Sequence, residues 1–188
     1  HINAPQLNHT GNTKLERKVN HEIQTMVDRA VDEASTRAEE YYDAFVETGG
    51  NPNEFMPVEI TIDYEIKYYQ DNFVSFLIEK TETLASAYQE YMYYNINLNT
   101  GKILTLKDLL GDNYQDVITQ EIRKQISAYP EEERSLFFEE VNIKDFINQD
   151  RIFYINQDKR IVIKFQKYEI AAGAAGPVEF VIPQNISL

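Results

Sequence analysis

Cysteine and tryptophan are both missing from this chain of 188 residues. Without thiols there is no disulfide, no thiolate metal site and no cysteine nucleophile. Histidine is nearly as scarce: His1, His9 and His21 all fall in the first 21 residues. A Ser-His nucleophile or a His-based zinc site therefore has almost no material. Long apolar runs are absent too, since nothing approaches the ~18 consecutive apolar residues that a membrane-spanning helix needs. No signal-peptide pattern is visible in a sequence that opens at His1. Basic residues are the last shortage, with 18 Lys and Arg against 31 Asp and Glu for a net charge of −13. That balance argues against nucleic acid and favours a basic partner, mainly by speeding encounter.

What is present builds an α+β protein. Leu15, Val19, Ile23, Met26, Val27, Ala30, Val31, Ala34, Ala38, Tyr41, Tyr42 and Phe45 recur at spacings of three and four, which predicts one long helix. Thr13 to Glu16 reads as its capping box and Gly49-Gly50 as its end. The polar Ser35-Thr36 step offers a place for a break. His1 and His9 are expected in a flexible leader ahead of the helix.

Alternation from Pro57 to Tyr69, a turn at Asp71-Asn72, then Phe73–Lys80 and Tyr88–Asn99 predict a meander of antiparallel strands on which the helix packs. After a turn at Gly101 come "TLKDLL" (105–110), a helix from Tyr114 that Pro130 stops, and a short helix over about 131–140. "RIFYIN" (151–156), "KRIVIKF" (159–165) and "VEFVIP" (178–183) predict a hairpin and a final strand. The order suggests two α+β halves, 1–98 and 99–188, in one compact unit without a Pro/Gly/Ser linker.

Acidic pairs such as Glu39-Glu40, Glu131-Glu132-Glu133 and Glu139-Glu140 lie next to each other on predicted helix surfaces. Glycosidase chemistry needs two carboxylates at a set separation with different environments, so these read as solvated faces. Tyrosine is the unusual abundance, with 13 copies. On the strand through 88–99, Tyr88 and Tyr94 share one face and Tyr91 and Tyr93 the other. Tyr91 and Tyr93 are candidates for stacking a cell-wall glycan, against simple strand propensity. Between the last two strands lies "YEIAAGAAGP" (168–177). Its Gly173 and Gly176 are followed by a strand and accompanied by no cation, so it is not a phosphate loop, which opens a helix. A structural turn or a flat docking surface remains.

The stretches "NINLNTGKILTLKDLL" and "FYINQDKRIVIKFQKYEIAAGAAGPVEFVIP", with "LERKVNHEI" upstream, resemble a two-part extracytoplasmic module. That module is found at the C-terminal end of anti-sigma factors of the anti-sigma-V type and in front of some polysaccharide deacetylases. The resemblance covers nearly the whole chain. It implies a non-enzymatic sensor domain outside the membrane, without catalytic residues, metal or cofactor and anchored through a segment upstream, that binds lysozyme and licenses proteolysis of the anti-sigma factor. The alternative it implies is a glycan-binding accessory domain attached to a deacetylase. The family loop reads Tyr-Glu-(Ile/Val)-Ala-Pro-Gly; Tyr168, Glu169, Ile170, Ala171 and Gly173 match it, and Ala172 stands in place of Pro. At 85–88 many relatives have a Gly-Gly-Ala-His-like stretch, of which Ala87 matches and Tyr88 replaces His. The partner-binding set implied by the resemblance is Ser86, Tyr88, Tyr168, Glu169, Ala172, Gly173, Ala174, Ala175 and Gly176.

Overall fold

A computed structural model describes residues 1–83, 87–184 and 186. The first helix, α1 (Thr13–Glu47), runs unbroken for 35 residues. Its buried stripe is Leu15, Val19, Ile23, Val27, Ala30 and Ala34. No break occurs at Ser35-Thr36; the Thr36 hydroxyl bonds back to the Asp32 carbonyl at 3.1 Å and the helix continues. The N-cap is Asn12, not Thr13: its side-chain oxygen accepts from the Leu15 N–H at 3.0 Å. Glu16 reaches further back, accepting from the backbone and hydroxyl of Thr10 at 2.6 and 2.8 Å. An Asx-type cap thus outcompetes the Ser/Thr box expected one residue later.

Strands β1 (Glu59–Gln70), β2 (Phe73–Thr83), β3 (Ala87–Asn97) and β4 (Lys102–Ile103) form one sheet in that order. Asp71 and Asn72 both adopt positive φ, 53° and 59°, the two-residue turn that fits hairpin twist. The leader is not loose. Ile2 pairs with Ile62 as a parallel bridge, and Ile62 donates to the His1 carbonyl at 2.9 Å. Backbone hydrogen bonding to an open strand edge holds it where composition suggested only a tail.

Helix α2 (Leu106–Leu110) carries a capping box between Thr105 and Asp108. Helix α3 (Tyr114–Ala128) ends just before Pro130. The expected helix over 131–140 shrinks to one turn, α4 (Glu131–Arg134), because Phe137 leaves to bridge Ala171. After α5 (Ile143–Phe146), strands β5 (Phe153–Ile155), β6 (Ile161–Phe165) and β7 (Val178–Ile182) make a second antiparallel sheet, order β5-β6-β7. Ile163 sits opposite both Phe153 and Phe180, so large apolar side chains meet across the strands.

The chain divides into two compact units. The first comprises His1–Tyr64 and Ile78–Tyr91, the second Glu65–Leu77 and Met92–Leu188. Within the first, the Arg37 guanidinium of α1 donates from two nitrogens to the Glu82 carboxylate of β2, at 2.7 and 2.5 Å. Lys80, also buried, pairs with Glu90 at 2.7 Å. Within the second, Phe73, Ile118, Ile122, Phe153, Phe165 and Phe180 belong to one core cluster. Each such side chain, fully buried, contributes roughly 1.5–3 kcal/mol. A closed polar link crosses that core. Ser75 donates to Asn95 Oδ1 at 2.7 Å, Asn95 Nδ2 donates to the Phe153 carbonyl at 3.1 Å, and the Ile155 N–H donates to Ser75 Oγ at 2.9 Å. These bonds tie β2 and β3 to β5.

Candidate functional site

The segment after β6 folds as a braced loop. Phe165 ends the strand, and Tyr168 takes a left-handed conformation with φ 71°. Glu169 then turns inward. Its carboxylate accepts two bonds from the Arg151 guanidinium, at 3.1 and 3.0 Å, and a third from the Gln166 N–H at 2.5 Å. Arg151 is buried, lies 4.7 Å over the Phe165 ring and leaves its Nε without an acceptor. Its charge is therefore met by Glu169 and the aromatic face, not by water.

Ile170 and Ala171 are buried next. The Phe138 N–H donates to the Ile170 carbonyl at 3.0 Å, and the Ala172 N–H to the Leu136 carbonyl at 2.8 Å. These bonds flank the Phe137–Ala171 bridge and make a short ladder. It also explains why the chain after α4 cannot continue as helix. A single 3-10 turn, Gly173–Ala175, carries the loop to Gly176 at φ 66° and into β7. Gly173 allows a close approach. A Cβ there would lie 2.4–2.5 Å from three atoms of the Tyr168 side chain. The Tyr168 ring thus covers Gly173 while remaining 64% exposed.

Of the residues implied as partner-binding, Tyr168, Glu169, Ala172, Gly173, Ala174, Ala175 and Gly176 come together in this loop of the second unit. Tyr168 and Ala174 are exposed, whereas Glu169 is turned onto Arg151 and braces the loop from below. Tyr88 stands exposed on β3 in the first unit. Ser86 lies outside the described residues. Tyr91 is half-buried. Tyr93 packs its ring 5.2 Å from Phe153 against the core, and burial, aided by Asp150, raises its pKa. Tyr94 is buried and stacks on Phe76 at 5.2 Å. Arg151 is the residue that sequence reasoning missed. Only its place two residues before β5 hinted at burial, and a lone basic residue at a strand entry carries no signal of its partner.

Among the described residues, no group of three or more His, Asp or Glu is placed to hold a metal ion. No helix among them is long and apolar enough to cross a membrane. The site's features are a braced small-residue surface and one exposed tyrosine, with the Lys167 ammonium 5.0 Å over its ring, which suit binding.

Comparison with known proteins gives two family matches. Residues 1–84 match the family described as deacetylase PdaC. Residues 107–185 match DUF3298, described as a protein of unknown function. Over 98% of its length the chain is 27% identical to the anti-sigma-V factor RsiV of Bacillus subtilis (strain 168), and it spans 62% of that protein. The crystal structure of a DUF3298 family member from Bacteroides fragilis NCTC 9343 superposes with a TM-score of 0.61 at 20% identity, covering 88% of this chain and 68% of that one. A DUF3298 family protein from Pseudomonas aeruginosa PAO1 gives 0.51 at 14% identity, over 76% and 64%. These two likenesses speak for the fold alone. The two family matches fall one after the other along the chain, in agreement with the two-part module that its sequence resembles.

Proposed function

We propose that this chain is the extracytoplasmic sensing part of a membrane-anchored anti-sigma factor. In this reading it binds a basic protein of the lysozyme kind and so controls proteolysis of the anchored whole. The observation that carries it is similarity to an anti-sigma-V factor along 98% of the chain. Supporting it are the family loop framework at Tyr168, Glu169, Ile170, Ala171 and Gly173, and a net charge of −13 suited to a basic partner. The role is binding, not catalysis. The partner's differential affinity for two conformations would shift their populations and so change protease access near α1.

Calorimetric titration with lysozyme tests the reading. Heat at micromolar concentrations is expected, with an association rate that falls as salt screens the steering field. The absence of heat there would sink it.

The match of residues 1–84 to deacetylase PdaC favours a second reading, a glycan-binding accessory domain beside a deacetylase. Both candidate rings, Tyr91 and Tyr93, are half-buried, and Tyr93 packs against Phe153. Retention of the chain on insoluble peptidoglycan, together with no lysozyme heat, would favour this reading over the first.

A further inference from the structure

The base of the loop forms one wall of an open groove of ≈ 530 Å³ in the second unit. Ile126, Phe137, Phe138, Val141 and Ile170 give it an apolar floor. Its rim carries Glu131 and Glu139 as well as Arg123 and Arg134. Sign is decided by the surroundings. Arg123 already donates to Asn142 at 3.2 Å. Arg134 is the one basic residue between positions 131 and 140, against Glu131, Glu132, Glu133, Glu139 and Glu140. None of those five carboxylates forms an ion pair with a described residue. The four charges that line the rim balance, and the negative sign comes from Glu132, Glu133 and Glu140 beside them in sequence, on a protein that is itself acidic.

Position adds a second argument. Phe137 and Phe138 line the groove and also brace the loop through Ala171 and Ile170. The loop presents small side chains, so it allows close backbone approach but offers no large anchor. Binding hot spots pair an anchor on one partner with a desolvated pocket on the other. We infer that the groove receives an apolar residue and an adjoining arginine or lysine of a basic protein partner. The partner supplies the anchor, and the alanine loop lets its backbone settle alongside. This inference rests on the basic-partner reading above and adds to it where the anchor goes.

The test uses the isotopically labelled full chain and two probes, N-acetyl-Phe-Arg-amide and N-acetyl-Phe-Gln-amide, followed by amide shifts. The arginine peptide is expected to move the amides of residues 126–143 and Ile170 and to bind more tightly than the glutamine peptide. The double variant Glu131→Gln/Glu139→Gln should reduce that preference roughly threefold to tenfold, as removal of two exposed charge contacts implies. Phe138→Ala, at a 42% exposed position, should weaken both peptides without unfolding the chain. Equal affinity for the two peptides, or shifts scattered away from the groove, would overturn the inference. Lysozyme titration is read separately. Lysozyme heat without groove shifts removes the groove and keeps the partner. Groove shifts without lysozyme heat keep the groove and remove that partner.

Discussion

Replacing Glu169 by alanine would strand the Arg151 guanidinium. That group is 5% exposed and has its Nε unpartnered already, so it would keep only the Phe165 ring. Two charge-assisted bonds, of 3.1 and 3.0 Å, would be lost together with the Gln166 N–H contact. Breaking a fully buried pair by removing one partner costs about 3–5 kcal/mol. Glu169 is 25% exposed, so water would reach part of the vacancy, which lowers the expected cost to about 2–3 kcal/mol. Arg151→Met should cost less, about 1 kcal/mol. The glutamate left behind can meet water and keeps the Gln166 N–H, while the thioether covers Phe165. The double variant should cost less than the sum, with a coupling of about 1–2 kcal/mol. Chemical denaturation gives the stabilities, and hydrogen exchange at the Phe138 and Ala172 amides reports the ladder directly. If Arg151→Met proves as costly as Glu169→Ala, the pair is not a buried cation met by a partly wet anion. If neither variant loosens the two amides, the pair does not brace the loop.

Other features predict as sharply. Gly173→Ala would put a Cβ 2.4 Å from the Tyr168 ring; because that ring is exposed it should swing away at under about 1 kcal/mol, with changed Tyr168 ring shifts and weakened partner binding. Adding Tyr168→Ala should leave the denaturation midpoint indifferent to Gly173→Ala. Ser75→Ala would leave the Ile155 N–H and Asn95 Oδ1 without their buried partner, at about 2–3 kcal/mol in urea denaturation, and combining it with Asn95→Ala should fall short of additivity. Asp108 is held at about 2, below its ordinary 3.8, by the Lys102 ammonium and the Thr105 N–H and hydroxyl. A depressed carboxylate stabilises above its ordinary pKa, so about 1 kcal/mol should be lost as pH falls from near 4 through about 2. Denaturation midpoints of Asp108→Asn should lack that slope.

The long helix and most strands were legible because their signals are periodic and local. The run from Leu15 to Ala34 reads at 3.6 spacing, and β6 and β7 are short apolar runs between turn residues. What escaped was set by competition between segments. Residues 131–140 have helical composition, yet α4 stops at Arg134 because the backbone of Leu136 and Phe138 bonds the loop instead. Tyr64 and Ile66 alternate in step with the buried Ile62 and Tyr68, yet both are exposed, since burial depends on what covers a sheet and not on its pleat. In the candidate site, the framework residues were legible from the family pattern, while the division of labour was not. Glu169 faces Arg151, 18 residues away in sequence, and no local period encodes that distance. Tyr93 was read as surface, and the Phe153 ring that half-buries it arrives from a strand 60 residues later.

The brace also changes what a loop of alanines and glycines can do. Such a segment is costly to order, because small residues lose much backbone freedom and bury little area in return. Here that loss is met on folding, by the Arg151–Glu169 fork, the ladder to Leu136 and Phe138, and the Tyr168 ring lying on Gly173. On the proposed binding role, a partner would meet a loop already held in one shape, and less of the contact energy would be consumed in ordering it. Affinity should therefore respond to Arg151→Met although that side chain is buried and touches no partner. The change should appear as faster dissociation, with association, governed by charge steering, nearly unaltered because substituting one buried basic residue barely alters the field of a −13 surface. Surface-resonance kinetics with lysozyme separates the two rates. Equal dissociation from Arg151→Met and the parent chain would show that the loop is recognised without being held.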